Sequence, residues 1–258
     1  KSWKESADLG DPASQFNLGI LYTLGMGVNQ NYFEAFKWFQ LSSEQNLPEA
    51  QYHLGLLYLE GLGVDLDYKE SAHFFKLSSE QGLAEAQYEL GLLYLHGLGI
   101  EKDYHKAEKF FKLSAEQGII ESEYNLGLLY SDGLGVPQNY KEAYNWYLKS
   151  AKKGHLDSQN SLGWIYQNGF GVKKNLDKAI YWYNQAAEKN HLKAQFNLGT
   201  VFLDDSKKYK DFRSSIKWFS LAAKQNMPEA QYNLGSIYFE GIGVTQNFKT
   251  ALYWYKLS

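Results

Sequence analysis

The sequence predicts an all-α fold, a solenoid of antiparallel helix pairs. Three observations carry that expectation: a strict 36-residue period, helical spacing of apolar residues within each period, and turn and cap residues that recur in register. The Leu-Gly pair stands at Leu18-Gly19, Leu54-Gly55, Leu90-Gly91, Leu126-Gly127, Leu162-Gly163, Leu198-Gly199 and Leu234-Gly235, with no insertion or deletion between copies. A hairpin of this length cannot bury its apolar face alone, so successive copies must stack and share one core.

Read in order, the period divides the chain into one array of seven repeats at about residues 11–46, 47–82, 83–118, 119–154, 155–190, 191–226 and 227–258. Before them, Ser6-Ala7-Asp8-Leu9-Gly10 aligns one period back with Ser42-Ser43-Glu44-Gln45-Asn46, as the tail of a further second helix. At the other end, Tyr253-Trp254-Tyr255-Lys256-Leu257-Ser258 stops inside a second helix. Terminal repeats normally carry a polar outer face, and neither end has one. The expectation is a fragment of a longer protein, with disordered ends as the alternative. The opening Lys1-Ser2-Trp3 lacks a methionine, so a targeting signal could have been removed and localisation is not legible.

Within a repeat, the first helix (helix A) is predicted over 48–60, with Ala50, Leu54, Leu57 and Tyr58 on one stripe. Pro12, Pro48 and Pro228 suit a first turn whose N–H has no helical partner, and Glu49, Glu85, Glu121 and Glu229 follow at its positive end. Gly61-Leu62-Gly63-Val64 then breaks the helix. Helix B begins after Asn31, Asp67, Asp103, Asn139, Asn175, Asp211 and Asn247, an Asn/Asp restriction that fits an N-cap; Glu34, Glu70 and Glu142 predict capping boxes. It carries an aromatic pair, such as Phe74-Phe75 or Trp182-Tyr183, and ends at Asn46, Gly82, Gly118, Gly154, Asn190 and Asn226, residues suited to a left-handed cap. Gly19 and its equivalents, with Ala50 and Ala35 and theirs, are expected to let helices cross closely, Tyr22, Tyr58, Tyr94, Tyr130, Tyr166 and Tyr238 filling the space around them.

Composition removes several function classes. With 44% hydrophobic and 17% aromatic residues the chain has material for a continuous core. Zero cysteine excludes disulfides, thiolate catalysis and thiolate metal sites. No apolar run reaches the length of a membrane span. Against 29 Asp+Glu, 26 Lys+Arg leave no overall basic footprint, so no nucleic-acid partner is expected. Gly-x-Gly pairs at helix ends lack the strand context of a phosphate fingerprint. His155 and His191 lie one period apart, on helices about 8–10 Å apart, too far for one zinc ion. No cofactor, metal site or catalytic constellation is expected.

The unit Ala50, Leu54-Gly55, Tyr58, Gly61, Gly63-Val64, Asp67, Lys69-Glu70, Phe74-Phe75, Ser78-Ser79 and Gly82 resembles the Sel-1-like repeat, a relative of the tetratricopeptide repeat. The fourth and fifth copies match through Val136, Asn139, Lys141-Glu142-Ala143, Trp146-Tyr147, Ser150-Ala151 and Gly154. The resemblance covers essentially the whole chain. It implies a right-handed superhelix with helix A on the concave side and helix B on the convex side, and an adaptor or scaffold role instead of an enzyme. Some bacterial members carry a disulfide in each repeat; this chain departs from them.

By analogy with tetratricopeptide repeats, partner contacts belong to the helix A positions of Glu49, Tyr52, His53, Leu56, Leu59 and Glu60, away from Ala50, Leu54 and Tyr58. Down the array the Tyr52 position reads Phe16, Tyr52, Tyr88, Tyr124, Asn160, Phe196 and Tyr232, rimmed by Glu85, Glu89, Glu121, Asp132 and Glu240. Such a row suits an extended or helical peptide with basic residues; alternatively the rings pack between neighbouring helices. The fifth repeat departs from the row with Asn160, Ser161, Trp164, Gln167 and Asn168, and Trp164 is either a binding anchor or structural drift. The sixth replaces the turn glycines by Asp205 and Lys207 and adds Lys208, Lys210 and Arg213, either a solvated face or a contact for an acidic partner or lipid headgroup. The expected function is a non-enzymatic scaffold binding a peptide or protein segment on the helix A surface. The alternative is an architectural spacer with the functional module elsewhere. Partner identity and oligomeric state are not legible.

Overall fold

The computed structural model describes residues 3–204 and 208–258, and every regular element among them is a helix. Lys1, Ser2, Asp205 and Lys207 lie outside the described residues. The chain falls into two compact units, Lys1–Gln138 and Asn139–Ser258. The first holds α1 (Trp3–Asp8), α2 (Pro12–Leu24), α3 (Tyr32–Ser43), α4 (Pro48–Glu60), α5 (Tyr68–Glu80), α6 (Ala84–His96), α7 (Tyr104–Glu116) and α8 (Ile120–Asp132). The second holds α9 (Tyr140–Lys152), α10 (Leu156–Asn168), α11 (Leu176–Ala187), α12 (Leu192–Leu203), α13 (Phe212–Lys224), α14 (Pro228–Glu240) and α15 (Phe248–Leu257). Even-numbered helices are the expected A helices and odd-numbered ones the B helices.

Local chemistry delimits each helix as the sequence predicts. Pro12, Pro48 and Pro228 open α2, α4 and α14. Gly61 ends α4 at φ 68°, and at Gly63 (φ 71°) a Cβ would run into the Tyr32 carbonyl and stand 2.6 Å from the Phe33 nitrogen. The tight turn therefore also docks one repeat against the one before it. Asn46, Asn190 and Asn226 adopt φ of 61–64° after helix B, the left-handed cap that Asn tolerates best after Gly. All seven Asn/Asp N-caps of helix B accept from a backbone N–H two or three residues on.

The capping boxes expected at Glu34 and Glu70 form only by half. The donor that Glu34 or Glu70 would satisfy is already taken, because Asn31 and Asp67 donate their backbone N–H to the Tyr22 and Tyr58 carbonyls at 2.9 and 3.0 Å. Glu34 instead pairs with Lys37 at 2.9 Å.

The core follows one rule per hairpin. The second ring of the helix B pair lies against the helix A glycine; Phe39, Phe75, Phe111, Tyr183 and Phe219 are at most 1% exposed. The first ring packs on the helix A tyrosine, as where Phe74 stacks on Tyr58 (5.8 Å between centroids) and Phe110 on Tyr94 (5.7 Å).

A polar ladder joins the hairpins. Buried Gln15, Gln87, Gln159, Gln195 and Gln231 donate to carbonyls at the end of the preceding helix B. Gln15, Gln51, Gln87 and Gln195 also accept from Gln45, Gln81, Gln117 and Gln225 at 2.8–2.9 Å. The ladder is complete where a second glutamine follows thirty residues on; the Oε1 atoms of Gln159 and Gln231 are buried without a hydrogen-bond partner.

Candidate partner-binding face

In the first unit, the ring row and its acids come together on α2, α4, α6 and α8. Each ring of the row also covers the ring that helix B inserts: Phe16 lies 5.7 Å from Phe39, Tyr52 5.7 Å from Phe75 and Tyr88 6.0 Å from Phe111. Tyr52, Tyr88 and Tyr124 are half-buried, so one face of each ring packs and part of it stays accessible. The rings therefore pack between helices, as one sequence reading has it, while part of each stays accessible.

Four of the six expected contact positions, Tyr52, His53, Leu56 and Leu59, are half-buried by stacking. His53 lies over Phe39 (5.0 Å, 18°) and 5.4 Å from Phe16, and burial holds its imidazole below the ordinary value. Leu56 and Leu59 pack against the cluster of Ala72, Phe75, Leu90 and Leu93. An interior A helix is enclosed by its own helix B and by neighbouring repeats, so the stripe left to solvent is narrower than helical spacing alone suggests.

Electrostatics ties the remaining residues into one patch. Burial pushes Tyr52 up to about 12, with Glu89, Glu85 and Glu60 adding to it in that order. Glu89 is pushed up to about 7, first by burial and then by Glu60. Tyr88 is also raised, by burial, Glu89 and Glu121, against an opposing hydrogen bond with Asn125. Glu49 is exposed in the first turn of α4. Not one lysine or arginine occurs on α2, α4, α6 or α8.

In the second unit the equivalent positions are Asn160 and two rings, Phe196 and Tyr232, that again cover helix B rings. Asn160 is half-buried and accepts from Asn197 at 2.9 Å. Trp164 is 40% exposed and joins Phe170 (4.7 Å) and Tyr140 (6.2 Å) in a three-ring cluster. Where Asn160 replaces the ring of the row, Tyr183 donates its hydroxyl to Gln167 at 2.7 Å. Tyr232, 58% exposed, covers Tyr255 and with Phe196, Glu229 and Asn233 borders a cavity of about 440 Å³. Of the Lys-rich segment, Lys208 pairs with Asp177 at 3.0 Å, Lys210 lies over the Phe212 ring and Arg213 is exposed.

One signal escapes a reading by total charge. Lys1–Gln138 contains nine Lys+Arg and twenty Asp+Glu, a formal −11, whereas Asn139–Ser258 contains seventeen and nine, a formal +8. The net −3 of the chain conceals two oppositely charged units. Counting charge per group of repeats would have found it. Among the described residues no group of His, Asp and Glu could hold a metal ion, and no helix is long and apolar enough to cross a membrane.

Seven segments match the Sel1 repeat: residues 12–47, 48–83, 84–119, 120–155, 156–191, 192–227 and 228–258. No curated protein matches the chain in sequence. A protective antigen of uropathogenic Escherichia coli strains, displaying an SLR fold, is 34% identical with a TM-score of 0.91; the match covers 99% of this chain and 55% of that one. The chain thus spans little more than half the length of that protein. A Sel1 repeat protein from Oxalobacter formigenes is 34% identical over 84% of this chain and 89% of its own, with a TM-score of 0.75. An immunity protein from Pseudomonas aeruginosa shares the fold at 17% identity and a TM-score of 0.51, over 81% and 80% of the two chains. Sel1 repeat proteins are generally protein-interaction scaffolds and generally non-catalytic. With seven matched repeats spanning residues 12 to 258 in an all-α solenoid of helix pairs, the chain belongs to the Sel1 repeat family.

Proposed function

We propose that this chain is a non-enzymatic scaffold that holds a basic peptide or protein segment on the helix A face of its first unit. One observation carries the reading: on α2, α4, α6 and α8 all acidic and basic side chains apart from histidines are carboxylates, and the half-buried Tyr52 and Tyr88 lie among Glu60, Glu85, Glu89 and Glu121. A lysine or arginine side chain placed there relieves the repulsion between Glu60 and Glu89 and meets the tyrosine faces, which attract cations. The rings supply contact area at small entropic cost because packing already fixes them. In the second unit Trp164, 40% exposed at the edge of its cluster with Phe170 and Tyr140, is a separate anchor for an apolar side chain.

The test is fluorescence anisotropy of a labelled lysine- and arginine-rich peptide with the intact chain. Glu85 and Glu121 are exposed, so Glu85→Gln with Glu121→Gln leaves the fold intact and is expected to weaken binding and flatten its salt dependence. Equal affinity of the double variant for the basic peptide refutes this face. A spacer without a partner would not bind the basic peptide.

A further inference from the structure

The positive charge of the second unit is not spread evenly over its helices. α9, α11, α13 and α15 together carry nine lysines and arginines against two acids, Glu142 and Asp177, and Asp177 is already held by Lys208 at 3.0 Å. The A helices α10, α12 and α14 carry a single base, Lys193. On α9, Lys141 and Lys152 are eleven residues apart, as are Arg213 and Lys224 on α13, with Lys217 between. Spacings of four, seven and eleven return to one side of a helix, so these charges share a stripe, and all of them are exposed. At the register of Lys217, one period away on either side, α11 and α15 place Tyr181 and Tyr253, 54% and 57% exposed.

We infer that this helix B stripe of the second unit is a docking surface for an anionic lipid bilayer. Charge complementarity selects an anionic surface, and two features favour a bilayer over nucleic acid. First, the charge is almost wholly lysine, with Arg213 the one arginine of the unit. Lysine is a hydrated point charge that responds to a diffuse surface potential, whereas phosphate readout favours the arginine fork. Second, exposed tyrosines stand among the lysines, and amphipathic rings of this kind partition to the headgroup level while lysine stems lie along the apolar boundary. The first unit, at a formal −11, is repelled by the same surface, so attachment is confined to the second. The inference does not rest on the basic-segment reading of the first unit.

The experiment is co-sedimentation of the intact chain with phosphatidylcholine vesicles, with and without phosphatidylglycerol, at low and high salt. Three variants at exposed positions, R213Q, K217Q and K224Q, are combined and the fold is checked by circular dichroism. A control combines K69Q, K76Q and K109Q, which remove the same charge from the first unit. The chain is expected to sediment with the anionic vesicles alone and to be released by salt. At about fivefold per surface lysine, the α13 triple variant loses at least tenfold in partitioning while the control loses none. No sedimentation with anionic vesicles, equal sedimentation with neutral ones, or equal loss in the control overturns the inference. Binding to duplex DNA without binding to vesicles assigns the lysines to a nucleic acid and overturns it as well.

Discussion

The Phe75 ring occupies the space in which a side chain on Gly55 would begin: a Cβ there would stand 2.6 Å from two of its ring carbons. The contact is the crossing point of α4 and α5, and Phe75 is fully buried. Gly55→Val must displace that ring or part the helices and is expected to cost roughly 1–3 kcal/mol. Chemical denaturation followed by circular dichroism measures it; an unchanged midpoint would show that the crossing has slack.

Asp67 caps α5 by accepting from the Lys69 and Glu70 nitrogens at 2.8 and 3.2 Å. Asp67→Ala leaves those donors without their acceptor, an expected loss of about 1 kcal/mol, and Asp67→Asn recovers most of it. The pair of variants separates capping from charge.

Glu89 links stability to pH. Its folded-state pKa lies at about 7, above the reference 4.5, because burial and Glu60 disfavour the carboxylate. Its neutral form therefore favours the folded state, a contribution fully present below pH 4.5 and lost as pH rises through about 7. Glu89→Gln is expected to remove that slope and to stabilise the chain by ~2 kcal/mol at pH 8, after discounting for solvent at this partly exposed site. Denaturation midpoints of both proteins across pH 5 to 8 test it (~ the range set by the shift); parallel curves would contradict it.

His191 performs two tasks with one ring. Nδ1 accepts from the Ala194 nitrogen at 3.2 Å at the start of α12, and Nε2 lies 3.1 Å from the Asp157 carboxylate, to which it donates. That bond holds the Asp157 carboxyl below its ordinary 3.8, so its stabilising effect is present above that value and fades as pH falls through the lowered one. His191→Ala is expected to cost about 1 kcal/mol through the lost cap. In the variant, NMR titration should return Asp157 toward 3.8.

Much of this architecture is local and was legible in the sequence. Helix limits at Pro48, Gly61, Asp67 and Asn46 depend on what a few neighbouring residues do to backbone angles and orphan N–H groups. Recurrence multiplied each signal by the number of repeats. The glutamine ladder was also present as a recurrence, at Gln15, Gln51, Gln87, Gln159, Gln195 and Gln231, but its meaning was not, because every partner lies on or just beyond the end of another helix. The half-formed capping boxes failed for the same reason, since the Tyr22 and Tyr58 carbonyls reach the N-cap from the preceding helix.

By itself the sequence determined the period, the two helices of each hairpin, their caps and the glycine at each crossing, since these follow from steric and hydrogen-bonding preferences within a few residues. Tertiary structure alone decided which helix A side chains stay accessible. Helical spacing grouped His53, Leu56 and Leu59 with Tyr52 and Glu60, yet stacking of adjacent repeats half-buries all four of the uncharged side chains and leaves the carboxylates of Glu49 and Glu60 exposed. Burial there also turns Glu89 into a carboxyl that titrates near neutrality, a property set by its distance from water and from Glu60 and by nothing adjacent to it in the chain.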